Sequence, residues 1–257
     1  MSVSMFMADM IAAQISIAVG LIGWAIGWRG GMIKMRGFYD MPSATRNLMY
    51  GFVFGSLVAY GIDSVLYRPA FTVFINEGVF PADLILIYGF LVGMFVSTIS
   101  HFLLTRAGVK STISYTTSGW ALGLGVGAMI VVRLGYYKFD AAYDFHSIYT
   151  VALMAISIPW LEALILCWHG SRIYDSKIWS SILGSAFAHS VVYFALVYAM
   201  LQAQPLAWIF FAILIMLGQR LADKNWIPLS LTPDARRRYR RVLASESRRK
   251  LNSDESE

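Results

Sequence analysis

SGWALGLGVGAMIVVRLG, residues 118–135, holds glycines at 119, 123, 125, 127 and 135 in an otherwise apolar run. Two readings compete for it. A phosphate-cradling loop needs a glycine-rich turn between a strand and a helix, with amides facing solvent. A membrane helix instead uses glycines to let a neighbouring backbone come close. The string GLGVG breaks the dinucleotide spacing GxGxxG. Gly119, Gly123 and Gly127 follow GxxxGxxxG, and residues four apart stack on one helix face. The run is therefore read as a central packing helix with a flat groove along one side. Gly51, Gly55 and Ala59 repeat the pattern upstream, and so do Gly89 and Gly93, so both segments are expected to partner it.

Composition supports the membrane reading. The 257 residues are 58% hydrophobic and 14% charged, against about 25% charged for a soluble domain. Too little polar surface exists to coat a water-facing globule. Apolar segments near 9–28, 48–67, 83–104, 116–136, 147–168, 179–202 and 206–222 are each long enough to cross a bilayer core of about 30 Å. The last follows a tight turn expected at Gln202–Pro205. The fold class is thus all-α: a polytopic, seven-helix membrane protein of a cell membrane or endomembrane. Residues 1–224 form the membrane domain, and 225–257 form a basic, partly disordered tail. The single cysteine, Cys167, excludes an intramolecular disulfide.

Basic residues set the orientation. Arg29, Lys34, Arg36 and Arg46 share one side with Arg106, Lys110, Arg172, Lys177 and the tail. Arg68, Arg133 and Lys138 lie on the other side. The positive-inside rule then puts the N-terminus out and the C-terminus in. Lys and Arg of the stretch DARRRYRRVLASESRRK (234–250) are expected to attract anionic lipid headgroups. They carry no fold that would mark nucleic-acid binding, so no nucleic acid is expected as a partner. In RPAFTVFINEGVFPAD (68–83), Pro69 and Pro81 are expected to break an ordinary connector.

Ionisable residues inside spans are costly and mark candidate sites. Five stand out: Asp63, His101, Arg133, Glu162 and His189. Asp63 and Arg133 match in depth and are expected to form a structural ion pair. Glu162 and His189 differ in depth by roughly 5 Å at 1.5 Å per residue, within reach if spans five and six pack as a hairpin. Such a pair can shuttle a proton, orient a water or clasp two helices. His101 is expected to snorkel to the inner headgroups. His101, Glu162 and His189 make a poor zinc site, no HExxH occurs, and span seven has no lysine for a Schiff base. No metal or cofactor is expected.

Seven spans, the N-out orientation, the glycine ladder and the span-six histidine together resemble the anterior-pharynx-defective scaffold subunit of gamma-secretase. That subunit belongs to a wider group with the PrsW, YhfC and CAAX-type intramembrane proteases. SYTTSGWALGLGVG (114–127) is similar to the start of the scaffold's fourth span, which also begins with Tyr and Ser-Gly ahead of its glycines. GSAFAHSVVYF (184–194) is similar to its sixth, with His189 at the histidine position. The resemblance covers about 48–202 and is carried by these short motifs.

The departures bear on function. The scaffold has a second histidine on span five, where this chain offers Glu162. The proteases have a Glu pair on an earlier span, yet 83–106 contains no Glu, and Met129 stands where they place a Glu after the glycines. Only Glu162 is left to polarise a water. The resemblance thus implies a non-catalytic scaffold that binds a partner or substrate helix, or a second copy, in the Gly119–Gly123–Gly127 groove. The alternatives are an intramembrane protease in which Glu162 and His189 are catalytic, and a small-solute or proton-coupled transporter.

Overall fold

The structure is a computed structural model that describes residues 3–254 apart from Arg36, Phe38, Ala142, Tyr143, Ala203, Gln204 and Thr232. The centre of the expected Gln202–Pro205 turn, and the last three residues of the acidic end, lie outside the described residues. Ten α-helices follow in order: α1 Val3–Gly31, α2 Met41–Gly61, α3 Arg68–Glu77, α4 Ala82–Leu104, α5 Ala107–Thr112, α6 Tyr115–Ala141, α7 Phe145–Tyr174, α8 Ile178–Gln202, α9 Pro205–Leu221 and α10 Pro233–Asp254. No strand occurs among the described residues. Seven segments are long and apolar enough to cross a membrane, so the chain is a multi-pass helical membrane protein.

Local chemistry sets several ends. Asp40 caps α2 by accepting from the Ser43 backbone N–H, and Pro42 sits in the first turn where its missing N–H costs nothing. Asp144 caps α7 in the same way through Ser147. That backbone hydrogen bond holds the Asp144 carboxyl below the usual aspartate range.

Pro69 does not break the chain as expected. A π-helical turn, Ile62–Tyr67, joins α2 to α3, and Pro69 falls in the first turn of α3. The helical path ends only at Gly78, whose φ of 69° closes α3 in the left-handed region. The first turns of the tail also pack inward. Ile227, Leu231 and Tyr239 are buried in one cluster with Trp120, Leu124 and Cys167, and Ser230 hydrogen-bonds Thr116.

The bundle is organised around α6, and its glycines explain how. A Cβ placed on Gly119, Gly123 or Gly127 would lie under 3.0 Å from the backbone of α7 at Leu166, Glu162 and Pro159 respectively. Gly170 of α7 extends the same seam against Tyr115. The expected groove is therefore filled from within: α7 occupies it over its whole length, and no partner helix can enter. Gly125 points elsewhere and meets Leu48 and Gly51 of α2, while Gly55 meets Val126. One helix thus uses two glycine faces for two neighbours. Where hydrocarbon surrounds the bundle, such close backbone contact supplies the adhesion that hydrophobic burial gives in water.

Span three departs from its expected partner. Gly93 of α4 packs on Ala186 and His189 of α8, and Gly89 lies beside Ser190. Helix α1 closes the remaining side against α6 and α7. Its Gly23 rests on the Ala155 carbonyl, which lies four residues before Pro159 and so lacks its helical donor.

Candidate functional site

The intramembrane polar residues gather into two clusters. The first joins the π-turn to α6. Asp63 is fully buried. Its Oδ1 accepts from Arg68 Nε at 3.2 Å. Its Oδ2 accepts from Arg133 Nε and Nη2 at 3.1 and 2.9 Å and from the Tyr137 hydroxyl at 2.9 Å. The Tyr137 oxygen accepts in turn from Arg133 Nη2 at 2.7 Å and from Arg68. Both guanidiniums lie 5.0 Å from the Tyr137 ring centroid. The expected Asp63–Arg133 pair is present, and Arg68 and Tyr137 complete it. With one carboxylate saturated by donors, this is a joint rather than a reactive group.

The second cluster lies between α4, α7 and α8. His189 Nε2 is 3.0 Å from Glu162 Oε2, and both side chains are fully buried. The hairpin geometry that the depths required is the one seen. His189 Nδ1 sits 2.7 Å from the Ser185 carbonyl, which can only accept, so Nδ1 carries a hydrogen. The Nε2–Oε2 contact then needs one further proton, on Glu162 or on His189. Either way the pair is net neutral, which is how two ionisable groups survive in a dry interior. Tyr193 packs on the His189 ring with centroids 5.6 Å apart.

Ser185 is the hub of the cluster. Its hydroxyl donates to Ser97 of α4 at 2.6 Å and lies 2.8 Å from His169 Nδ1. The hydroxyl therefore accepts from His169, which leaves His169 Nε2 as a lone-pair acceptor with no partner. His101 is half-buried at the end of α4. Its ring packs edge-on to His169 at 5.7 Å, with Nδ1 buried. Ser100 Oγ is also buried without a hydrogen-bond partner, and the buried Tyr193 hydroxyl is set beside the Glu162 carboxyl.

His169 lies one residue beyond the 147–168 expected for span five. The helix runs on to Tyr174, so span five carries a histidine as well as Glu162. The absence of any proline or turn cluster between Cys167 and Tyr174 was the available signal. The three glycines meet this cluster from behind, since Gly123 packs on the backbone of Glu162 itself.

What the arrangement can do is hold one proton between Glu162 and His189 and tie three helices together. Among the described residues no three His, Cys, Asp or Glu side chains are placed to share a metal ion. Comparison with protein-family models, with curated proteins and with solved structures finds no match to this chain.

Proposed function

We propose that this protein is a non-catalytic membrane scaffold that seats a partner membrane protein on its lipid-facing surface. Glu162, His189, His169 and Ser185 act in it as an internal clasp. The observation that carries this reading is the sealing of the polar core. Glu162, His169 and His189 are fully buried, and the principal cavities among the described residues have none of the three in their walls. A hydrolase must bring a scissile carbonyl and a water to within about 3 Å of its base, and none of these cavities reaches Glu162. The glycine ladder is spent on internal packing, so the partner is seated elsewhere, on the lipid-facing surface. The histidine found on span five adds to the resemblance to the anterior-pharynx-defective scaffold.

A second reading, an intramembrane protease, draws on the Glu162–His189 pair itself, a carboxyl and an imidazole at 3.0 Å that could together activate a water. One experiment separates the two. Photo-crosslinking residues are placed at the exposed positions Leu91 and Phe95 on α4 and Ile213 and Leu217 on α9 in native membranes. The scaffold reading expects one of the two faces to capture a distinct membrane protein, equally in wild type and Glu162→Gln. Crosslinks to lipid alone on both faces, or cleavage of a membrane protein that Glu162→Gln abolishes, overturns it.

A further inference from the structure

Two cavities meet at the basic end of the bundle. The first, of about 380 Å³, is an apolar crevice with Leu161, Leu164 and Ile165 of α7 on its floor. Its walls come from α8, through Ala188 and Val191, and from α9, through Leu214. Helices α8 and α9 both pack on α7 and less on each other, and the crevice lies between them. The second cavity, of about 370 Å³, is lined by Arg172, Lys224, Arg236 and Arg240, with Asp175 as the acidic residue. Trp168 and Trp226 belong to both walls, so crevice and pocket adjoin across this pair of indoles.

The cationic pocket is built by three separate parts of the chain. Arg172 comes from the last turn of α7, Lys224 from the turn after α9, and Arg236 and Arg240 from α10. Arg236 Nε donates to the Pro228 carbonyl at 2.8 Å, which fixes α10 against the pocket. The Arg172 guanidinium lies 5.3 Å from the Trp168 ring centroid. Its Nε is buried and has no hydrogen-bond partner. Among the described residues none of the four cations makes an ion pair. A buried guanidinium nitrogen without an acceptor, among three more cations that share the pocket with the single carboxylate Asp175, calls for an anion.

We propose that crevice and pocket together bind one anionic phospholipid. Its phosphate lies among Arg172, Lys224 and Arg240, and one acyl chain lies in the cleft between α8 and α9. The fit follows from chemistry and level. Trp168 and Trp226 lie where indoles favour the headgroup boundary. From Trp168 to Leu161 the cleft runs about 10 Å along α7, a third of the hydrocarbon core. A soluble phosphate would leave the apolar half unused, and a zwitterionic phospholipid would bring its own ammonium into the cationic pocket beside the phosphate. The basic residues place this end on the leaflet richer in anionic lipid.

The test is native mass spectrometry of the full-length chain from mild detergent, titrated with phosphatidylglycerol or phosphatidylcholine of matched chains. Wild type should retain one phosphatidylglycerol and discriminate against phosphatidylcholine. Arg172→Gln with Arg240→Gln should weaken retention about 30-fold, two charges at about 1 kcal/mol each. Ala188→Phe, which fills the cleft with every charge intact, should weaken it too, and covers the case in which the arginine variant does not fold. Arg237→Gln with Arg248→Gln removes the same charge from exposed α10 positions outside the pocket and should leave retention unchanged. Equal retention of both lipids, equal loss in the two arginine pairs, no effect of Ala188→Phe, or full competition by inorganic phosphate overturns the proposal.

Discussion

Gly123→Ala adds a single methyl group at the seam between α6 and α7, and the structure says what it meets. The new Cβ lies 2.6 Å from the Ala163 Cα and 2.6 Å from the Glu162 carbonyl carbon, atoms of a helix backbone that cannot rotate away. Restoring ordinary contact parts the two helices by about 0.8 Å, and a gap of that size forfeits a quarter to a half of each neighbouring dispersion contact. Overpacking costs about 1–3 kcal/mol, and a backbone obstacle belongs at the upper end. Against this, alanine gains about 1 kcal/mol over glycine in a helix. The expected net loss is about 1–2 kcal/mol. Gly61→Ala is the internal control: nothing lies within 4 Å of its Cβ, so only the propensity gain acts and stability should rise by up to about 1 kcal/mol. Both are read from unfolding midpoints in mixed detergent–SDS micelles. A Gly123→Ala protein as stable as Gly61→Ala would refute the close approach of α6 and α7.

Three further outcomes follow from the polar clusters and a cap. Glu162→Leu leaves the buried His189 Nε2 without its partner and should cost about 1–3 kcal/mol, while Glu162→Gln keeps a hydrogen bond and should cost less; the same unfolding titration compares them. Asp63→Leu takes the shared acceptor from Arg68 and Arg133, which are 56% and 33% exposed and stay partly solvated, and should destabilise by about 1–3 kcal/mol, whereas Asp63→Asn, which keeps an acceptor, should fall between it and wild type. The depressed Asp144 carboxyl stabilises α7 above the ordinary aspartate range, and that contribution disappears as pH falls through the lower folded-state value. The midpoint difference between wild type and Asp144→Ala should therefore shrink between neutral pH and about pH 3, and a difference constant with pH contradicts the cap.

Much of this bundle is legible in the residues, and the failures are instructive. Hydropathy located all seven spans, because an apolar run of membrane length has few alternatives. Depth alone paired Glu162 with His189 and Asp63 with Arg133, since matched depth on packed helices leaves few other partners. The spacing of Gly119, Gly123 and Gly127 announced close packing but not with whom. A flat face is the same whether a helix of this chain or of another fills it, and only the fold shows that α7 does. His169 was lost to a boundary placed one residue short, where a slowly declining hydropathy gives no sharp edge. Pro69, by residue type alone, is expected to break a helix. The π-turn around Asp63 shifts the hydrogen-bond register by one residue just ahead of it, which a periodicity reading cannot see.

The pairing of α4 with α8 sets the order in which the protein can be assembled. Ser97 and Ser185, which meet at 2.6 Å, are separated by 88 residues. At about 5–20 residues per second, synthesis places α8 some 4–18 s after α4. During that interval Gly89, Gly93 and Ser97 face lipid or the insertion machinery, and α6 enters the membrane with the face meant for α7 still bare. The bundle cannot be laid down helix upon helix. Its earlier spans wait in the bilayer, and α8, arriving last of the polar three, brings the serine that both α4 and α7 are held by.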